Sequence, residues 1–272
     1  MSSVTVCALL TMAHLQGQVT APSPPRATDA DRGEETVRLA QNEAGRYDIV
    51  RQDGRGTLLE LRDRPILKWS NANNGTLYGS VVLWTVDGRP EALASFYRWY
   101  VDQQKFHAEF KSLSTEPLQA TKGGEVAWEP SKPDLEFRTL KDKAQPADVA
   151  SARLRQMRDI ARRFSGKVVP PTESATSLRL LTQPLYRYEK TPPDVIDGAL
   201  FAFVQGTDPE ILLLIEAVRE EKRTVWKYAV ARLNMFELHL ALDDEEVWSA
   251  KRITWKEVID LHGAYSVLVL DY

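Results

Sequence analysis

Residues 198–217 read GALFAFVQGTDPEILLLIEA: an apolar run, a turn signal at Gly206-Thr207-Asp208-Pro209, and a second apolar run. Proline presets φ, while Gly and Asp tolerate turn geometry, so the stretch predicts a β-hairpin. Both arms are apolar at almost every position, the pattern of strands covered on both faces. The turn residues are expected in solvent, with Pro209 at an exposed tip and Asp208 and Glu210 projecting beside it.

The same pattern stands earlier in the chain. Residues 79–96 read GSVVLWTVDGRPEALASF, so that Gly79 matches Gly198, Trp84 matches Phe203, Pro90 matches Pro209 and Glu91 matches Glu210. The register holds upstream, where Leu61 matches Leu180 and Trp69 matches Tyr188. Downstream it slips by one, with Phe106 against Trp226, Leu118 against Leu238 and Trp128 against Trp248. A constant offset of this kind is the mark of an internal repeat. An apolar helical stripe precedes each copy: Val37, Ala40, Ala44 and Tyr47 in the first, Leu154, Met157, Ala161 and Phe164 in the second.

Short links between the strands require antiparallel pairing. The expected fold class is therefore α+β, a tandem duplication of a unit with one N-terminal helix packed on an antiparallel meander. By analogy of architecture alone, the unit resembles the helix-on-curved-sheet folds of cystatin and nuclear transport factor 2. The chain divides into a signal peptide over 1–21, a disordered tether over 22–36, a first repeat over 37–128, a linker over 129–150, a second repeat over 151–248, and a C-terminal helix and strand over 249–272. The signal-peptide reading rests on the short apolar run of residues 4–15, VTVCALLTMAHL. The linker holds Pro130, Pro133 and Pro146. In the C-terminal segment, Thr254 and Glu257 have the spacing of a capping box.

Function is less legible. A net charge of −3 gives no pull toward nucleic acid. The single cysteine, Cys7, falls in the leader, so the mature chain is expected to carry no disulfide and no thiol nucleophile. No phosphate-binding loop, dinucleotide fingerprint, nucleophile elbow or metal-ligating histidine pair is present. The expectation is no cofactor and no metal. His107 and Glu109 lie two apart on a predicted strand and so share a face. With Asp208 and Glu210 they are the candidate catalytic residues of a hydrolase-type enzyme, because paired carboxyls or a carboxyl–histidine pair can exchange protons with a substrate. Six basic residues between Arg153 and Lys167 face one acid, Asp159, and are read as a solvated helix face. The tryptophans are read as core.

The segments DGALFAFVQGTDPEILLLIEA, GSVVLWTVDGRPEALASFYRW and ARLRQMRDIARRFSGKV resemble uncharacterised exported proteins of planctomycete bacteria. That resemblance implies export and supplies no activity or site residue. The expected function is a non-catalytic secreted, periplasmic or cell-envelope module that binds a protein or small-molecule ligand, without a transmembrane segment in the mature chain. The alternative is the hydrolase, with its carboxyls or His107 in a pocket of one curved sheet.

Overall fold

The computed structural model describes residues 28–71, 76–100, 105–141, 144–221 and 223–270; the stretch read as a signal peptide, with Cys7, lies outside them. The first half opens with helix α1 (Asp29–Ala44) and continues through β1 (Tyr47–Arg51), β2 (Thr57–Leu58), β3 (Glu60–Leu61), β4 (Leu67–Asn71), β5 (Leu77–Val86), β6 (Arg89–Trp99), β7 (Phe106–Ser112), β8 (Leu118–Lys122) and β9 (Glu125–Trp128). After β10 (Arg138–Thr139), the second half runs α2 (Ala150–Ala161), β11 (Phe164–Val169), β12 (Thr176–Leu180), β13 (Tyr186–Arg187), β14 (Val195–Gln205), β15 (Asp208–Glu220), β16 (Arg223–Arg232), β17 (Glu237–Leu242) and β18 (Glu245–Ala250). Helix α3 (Trp255–Val258) and β19 (Tyr265–Leu270) close the chain. All strand pairs among the described residues are antiparallel, the sheets include a curled half-barrel, and the sheet of the second half runs β10-β16-β15-β14-β12-β11-β17-β18. The fold is α+β.

The long hairpins form where the apolar runs predict them. Their turns are tighter than the sequence suggests. β5 and β6 meet through two residues, Asp87 and Gly88, both at positive φ; β14 and β15 meet through Gly206 and Thr207. Two-residue hairpin turns demand such backbone. Pro90 and Pro209 therefore lie in the strands, opposite Thr85 and Val204, each beside a bulge that removes the need for a ladder N–H. Both prolines are buried, as are Glu91 and Glu210 at 2% exposure each. The expectation of exposed tips with solvated acids is thus corrected. Each tip folds against the opposite half: Tyr186 Oη donates to the Gly88 carbonyl at 2.9 Å, and Thr207 Oγ1 donates to that of Ser70 at 2.7 Å.

Four layers result, because each central sheet is apolar on both faces. α1 lies on β5 and β6, where Ala40 and Ala44 meet Trp84, Phe96, Phe110 and Trp128. α2 lies on β14 and β15, where Met157 and Ala161 meet Phe201, Phe203 and Leu213. Between the two sheets is a third core, the seam, containing Leu83, Leu93, Trp69, Leu200, Leu212 and Tyr188. Trp69 and Tyr188 each lie flat over a glycine. A Cβ on Gly79 would fall 2.0 Å from the Trp69 ring, and one on Gly198 would fall 2.4 Å from Tyr188.

Several boundaries move. α1 begins at Asp29, inside the stretch read as a disordered tether, because Thr28 and Asp31 form a capping box. Tyr47 and Phe164 extend the helical apolar period but open β1 and β11, since the helices stop at Ala44 and Ala161. The linker is built into the protein: Leu135 and Leu140 are buried, and β10 pairs with β16. The C-terminal strand returns to the first half, pairing along β7. The capping box at Thr254 and Glu257 is present. The basic helix is only partly a solvated face. Arg153 is buried and its Nε donates to Asp197 at 2.9 Å, while Arg163 pairs with Asp243. Trp69, Trp84, Trp128 and Trp226 are core, but Trp255 is 48% exposed, and Trp248 is half-buried where its partner Trp128 is sealed.

Candidate functional site

Along β6, β7 and β15 every second side chain points into the seam, and not all of those side chains are apolar. At one end, β6 begins with Arg89. Its Nε donates to Glu216 at 2.8 Å, its Nη1 lies 3.5 Å from Glu91, and its guanidinium covers the Phe137 ring at 4.8 Å. Tyr188 Oη also donates to Glu216, at 2.8 Å. Arg51 adds a second cation, 3.7 Å from Glu91. Burial still pushes the Glu91 carboxyl upward, although Ser114 and the two arginines pull it down. This end is an ion-pair network in which two arginines neutralise the acids, although Oε2 of Glu91 makes no hydrogen bond of normal geometry.

The other end is different. β15 begins with Asp208, two residues before Glu210, and β7 brings Glu109 to the same place. Asn71 Nδ2 donates to Asp208 at 3.3 Å, and Asn234 donates to Glu210. The Tyr97 and Tyr265 hydroxyls face Glu109. Among the described residues no Lys, Arg or His pairs with any of the three acids or adds a favourable charge to them. Burial is the largest influence on each. It pushes Glu109 up to about 8, with the Asp208 charge adding to it. It pushes Asp208 up to about 7 against the pull of Asn71. Glu210 is driven well above the usual carboxylate range by burial and then by Asp208. Tyr97 and Tyr265 are likewise held far above the ordinary phenol value, by burial first and then by Glu109. A carboxyl buried without a cation stays protonated to higher pH because charge is costly in a dry site.

Of the four sequence candidates, the fold brings three together. Glu109, Asp208 and Glu210 meet in the seam between two sheets, not in a pocket of one curved sheet. His107 does not join them: its ring stacks on Tyr97, centroids 5.1 Å apart, with Nδ1 buried and unpartnered. Burial lowers its pKa, so it is neutral near pH 7. Among the described residues no group of three carboxylate, histidine or cysteine side chains is arranged to hold a metal ion, and no helix is long and apolar enough to cross a membrane.

A separate ion pair lies further along β7. Lys111 is fully buried and its Nζ holds Asp134 of the linker at 2.5 and 2.7 Å. Burial lowers the Lys111 pKa and Asp134 opposes it. The sequence reading missed Lys111, Arg89, Tyr97, Tyr265, Asn71 and Asn234. The available signal was a charged residue inside an otherwise apolar strand, as at Glu91, Lys111 and Glu216.

Compared with known proteins, the chain matches no protein-family model, no curated protein and no solved structure.

Proposed function

We propose that the chain is a non-catalytic exported or cell-envelope binding module, made of two copies of one α+β unit closed face to face, whose ligand site is the acid end of the seam. The observation that carries it is the meeting of Glu109, Asp208 and Glu210 without a cation. Burying unpaired acids costs stability, and such groups cluster where proteins bind or react.

Matched strand registers support the two-copy reading. Leu61 opposes Trp84 as Leu180 opposes Phe203; Trp84 opposes Ala92 as Phe203 opposes Ile211; Ala92 opposes Ser112 as Ile211 opposes Arg232. The sequence offset of 119, slipping to 120, reappears pair by pair. Export rests on the apolar run of residues 4–15 and on the resemblance to exported bacterial proteins. It is checked by the intact mass of secreted material, expected to begin between His14 and Pro22; a full-length chain confined to the cytoplasm would overturn it.

The binding site is checked by a fragment screen read through amide NMR shifts. Shifts centred on Glu109, Asp208 and Glu210 are expected, and hits confined to other surfaces would refute the assignment. One observation favours the hydrolase alternative: Glu109 and Asp208 are held at about 8 and about 7, the range in which a carboxyl can give and take protons at neutral pH. Turnover of an ester or glycoside that is lost in Glu109→Gln would decide for it.

A further inference from the structure

Resting on that reading of the site, we propose that the acid end of the seam binds the head group of a small organic monocation, an ammonium or a guanidinium. Three observations converge. First, Glu109, Asp208 and Glu210 come from β7 and β15 of opposing sheets, and among the described residues none has a cationic partner.

Second, Tyr265 is 5% exposed, and its Oη makes no hydrogen bond of normal geometry although it faces Glu109. A buried hydroxyl without a partner is rare, because leaving it unpaired costs about 1–3 kcal/mol. Its free lone pairs suit an N–H donor placed among the carboxyls.

Third, the opposite end of the seam holds such a cation already. Arg89 and Asp208 occupy the same place in their hairpins: each is the first residue of the second strand, two before a buried glutamate. The Arg89 guanidinium meets Glu216, Glu91 and an aromatic face, and Tyr188 shares its Glu216 partner. At the Asp208 end the acids and tyrosine hydroxyls are present and an acid stands at the position equivalent to Arg89; Arg232, 5.8 Å over the Tyr265 ring, donates from its guanidinium to the backbone carbonyls of Asn234, Phe236 and Lys251. A ligand head group would complete there what Arg89 completes at the other end. The amide and phenol neighbours, Asn71, Asn234, Tyr97 and Tyr265, favour a hydrogen-bonding organic cation over a metal ion, for which no described ligand set exists. Access is beside the hairpin tip, where Gly206 and Thr207 are exposed and Asp208 is only half-buried. A charged ligand requires charged partners, so its arrival expels protons from the carboxyls into solvent.

The test uses the full mature chain and butylguanidinium. Calorimetric titration near neutral pH, repeated in two buffers of different ionisation enthalpy, should give one site and net proton release. Asp208→Asn should weaken binding about tenfold or more, the scale of a lost charged hydrogen bond. Tyr265→Phe should weaken it several-fold. Tetramethylammonium, which has the same charge but no N–H, should bind at least about tenfold more weakly than butylguanidinium. Equal binding of the two cations, no proton release, or full affinity in folded Asp208→Asn overturns the proposal. Asp208→Asn removes an unpaired acid, and circular dichroism confirms that it folds. Butylurea, a neutral isostere of an alkylguanidine, separates the two claims. If it shifts the seam amides and butylguanidinium does not, the site stands and the cation does not. If neither shifts them, both fall.

Discussion

Glu109→Gln removes one half-buried carboxyl while keeping the side chain's shape, and its effect can be worked out in advance. In the folded chain burial, with the Asp208 charge, pushes Glu109 up to about 8; in the unfolded chain a glutamate titrates near about 4.3. For a carboxyl raised on folding, the stabilisation is fully present below the unfolded value and is lost as pH rises through the folded one. Each pKa unit is about 1.4 kcal/mol, so the displacement corresponds to at most about 5 kcal/mol above pH 8. Asp208 and Glu210 share the same space, so the three lose their protons in linked steps and one substitution relieves part of the burden. The expected gain for Glu109→Gln is about 2–3 kcal/mol near pH 8.5, and less than about 0.5 kcal/mol near pH 4, where the residue is largely neutral in the unfolded chain as well. Urea melts followed by tryptophan fluorescence at the two pH values give both numbers, provided the slopes agree. A variant that loses stability equally at both pH values would refute the reasoning, because Glu109 would then be acting as a structural carboxylate.

Four further outcomes follow from the same geometry. Asp208→Arg should supply Glu109 and Glu210 with a counter-ion, raise stability near pH 8.5 by about 2 kcal/mol, and abolish butylguanidinium binding; a destabilised variant in a denaturant melt would mean that the end has no room for a guanidinium. Asp134→Asn should cost about 3 kcal/mol by leaving Lys111 buried without its partner, and the loss should deepen as pH falls, because protonating an unpaired buried amine becomes the penalty; Lys111→Met should stay near wild type in the same melts. Gly198→Ala should cost about 1–3 kcal/mol, since the new methyl would enter the Tyr188 ring, and wild-type stability would contradict that contact. Trp128→Ala should cost about 3–5 kcal/mol and Trp248→Ala distinctly less, because only the first is fully sealed; equal losses would restore the symmetry that the sequence implies.

What could be read in advance depended on how local its cause was. The hairpins of residues 79–96 and 198–217 were legible because strands covered on both faces must be apolar at every position, and that leaves an unmistakable run. The cap at Thr254 and Glu257 was legible because both partners lie within one turn. The helix ends were not. Tyr47 and Phe164 return under their own helices as first residues of strands and so continue a helical period that the backbone has left. The acids were misplaced by two residues of turn. Reading Asp208 and Pro209 as turn put them in solvent, whereas a Gly206–Thr207 turn starts the strand at Asp208 and sends Glu210 inward. The meeting of Glu109 with Asp208 had no local cause. It depends on two sheets packing face to face, about a hundred residues apart in sequence.

The two ends of the seam start from equivalent places in their hairpins and reach opposite electrostatic solutions. At Arg89 the chain supplies its own cation, and the buried Glu91 and Glu216 are held by it. At Asp208 three acids lie together with no cation beside them, and burial raises the pKa of each. Packing alone does not require the difference, because an apolar residue or an arginine at 208 would close the seam at lower cost. A closed, self-neutralised end can only hold the two halves together. An end whose charges are neutralised by protons can exchange those protons for something else, and the tyrosine hydroxyl left without a partner beside Glu109 shows where that exchange would be felt. The same asymmetry gives a testable division of labour: substitutions at the Arg89 end should change stability at every pH, and those at the Asp208 end should change it little near about pH 4 and increasingly up to about pH 8, as the carboxyls ionise in the unfolded chain before they do in the folded one.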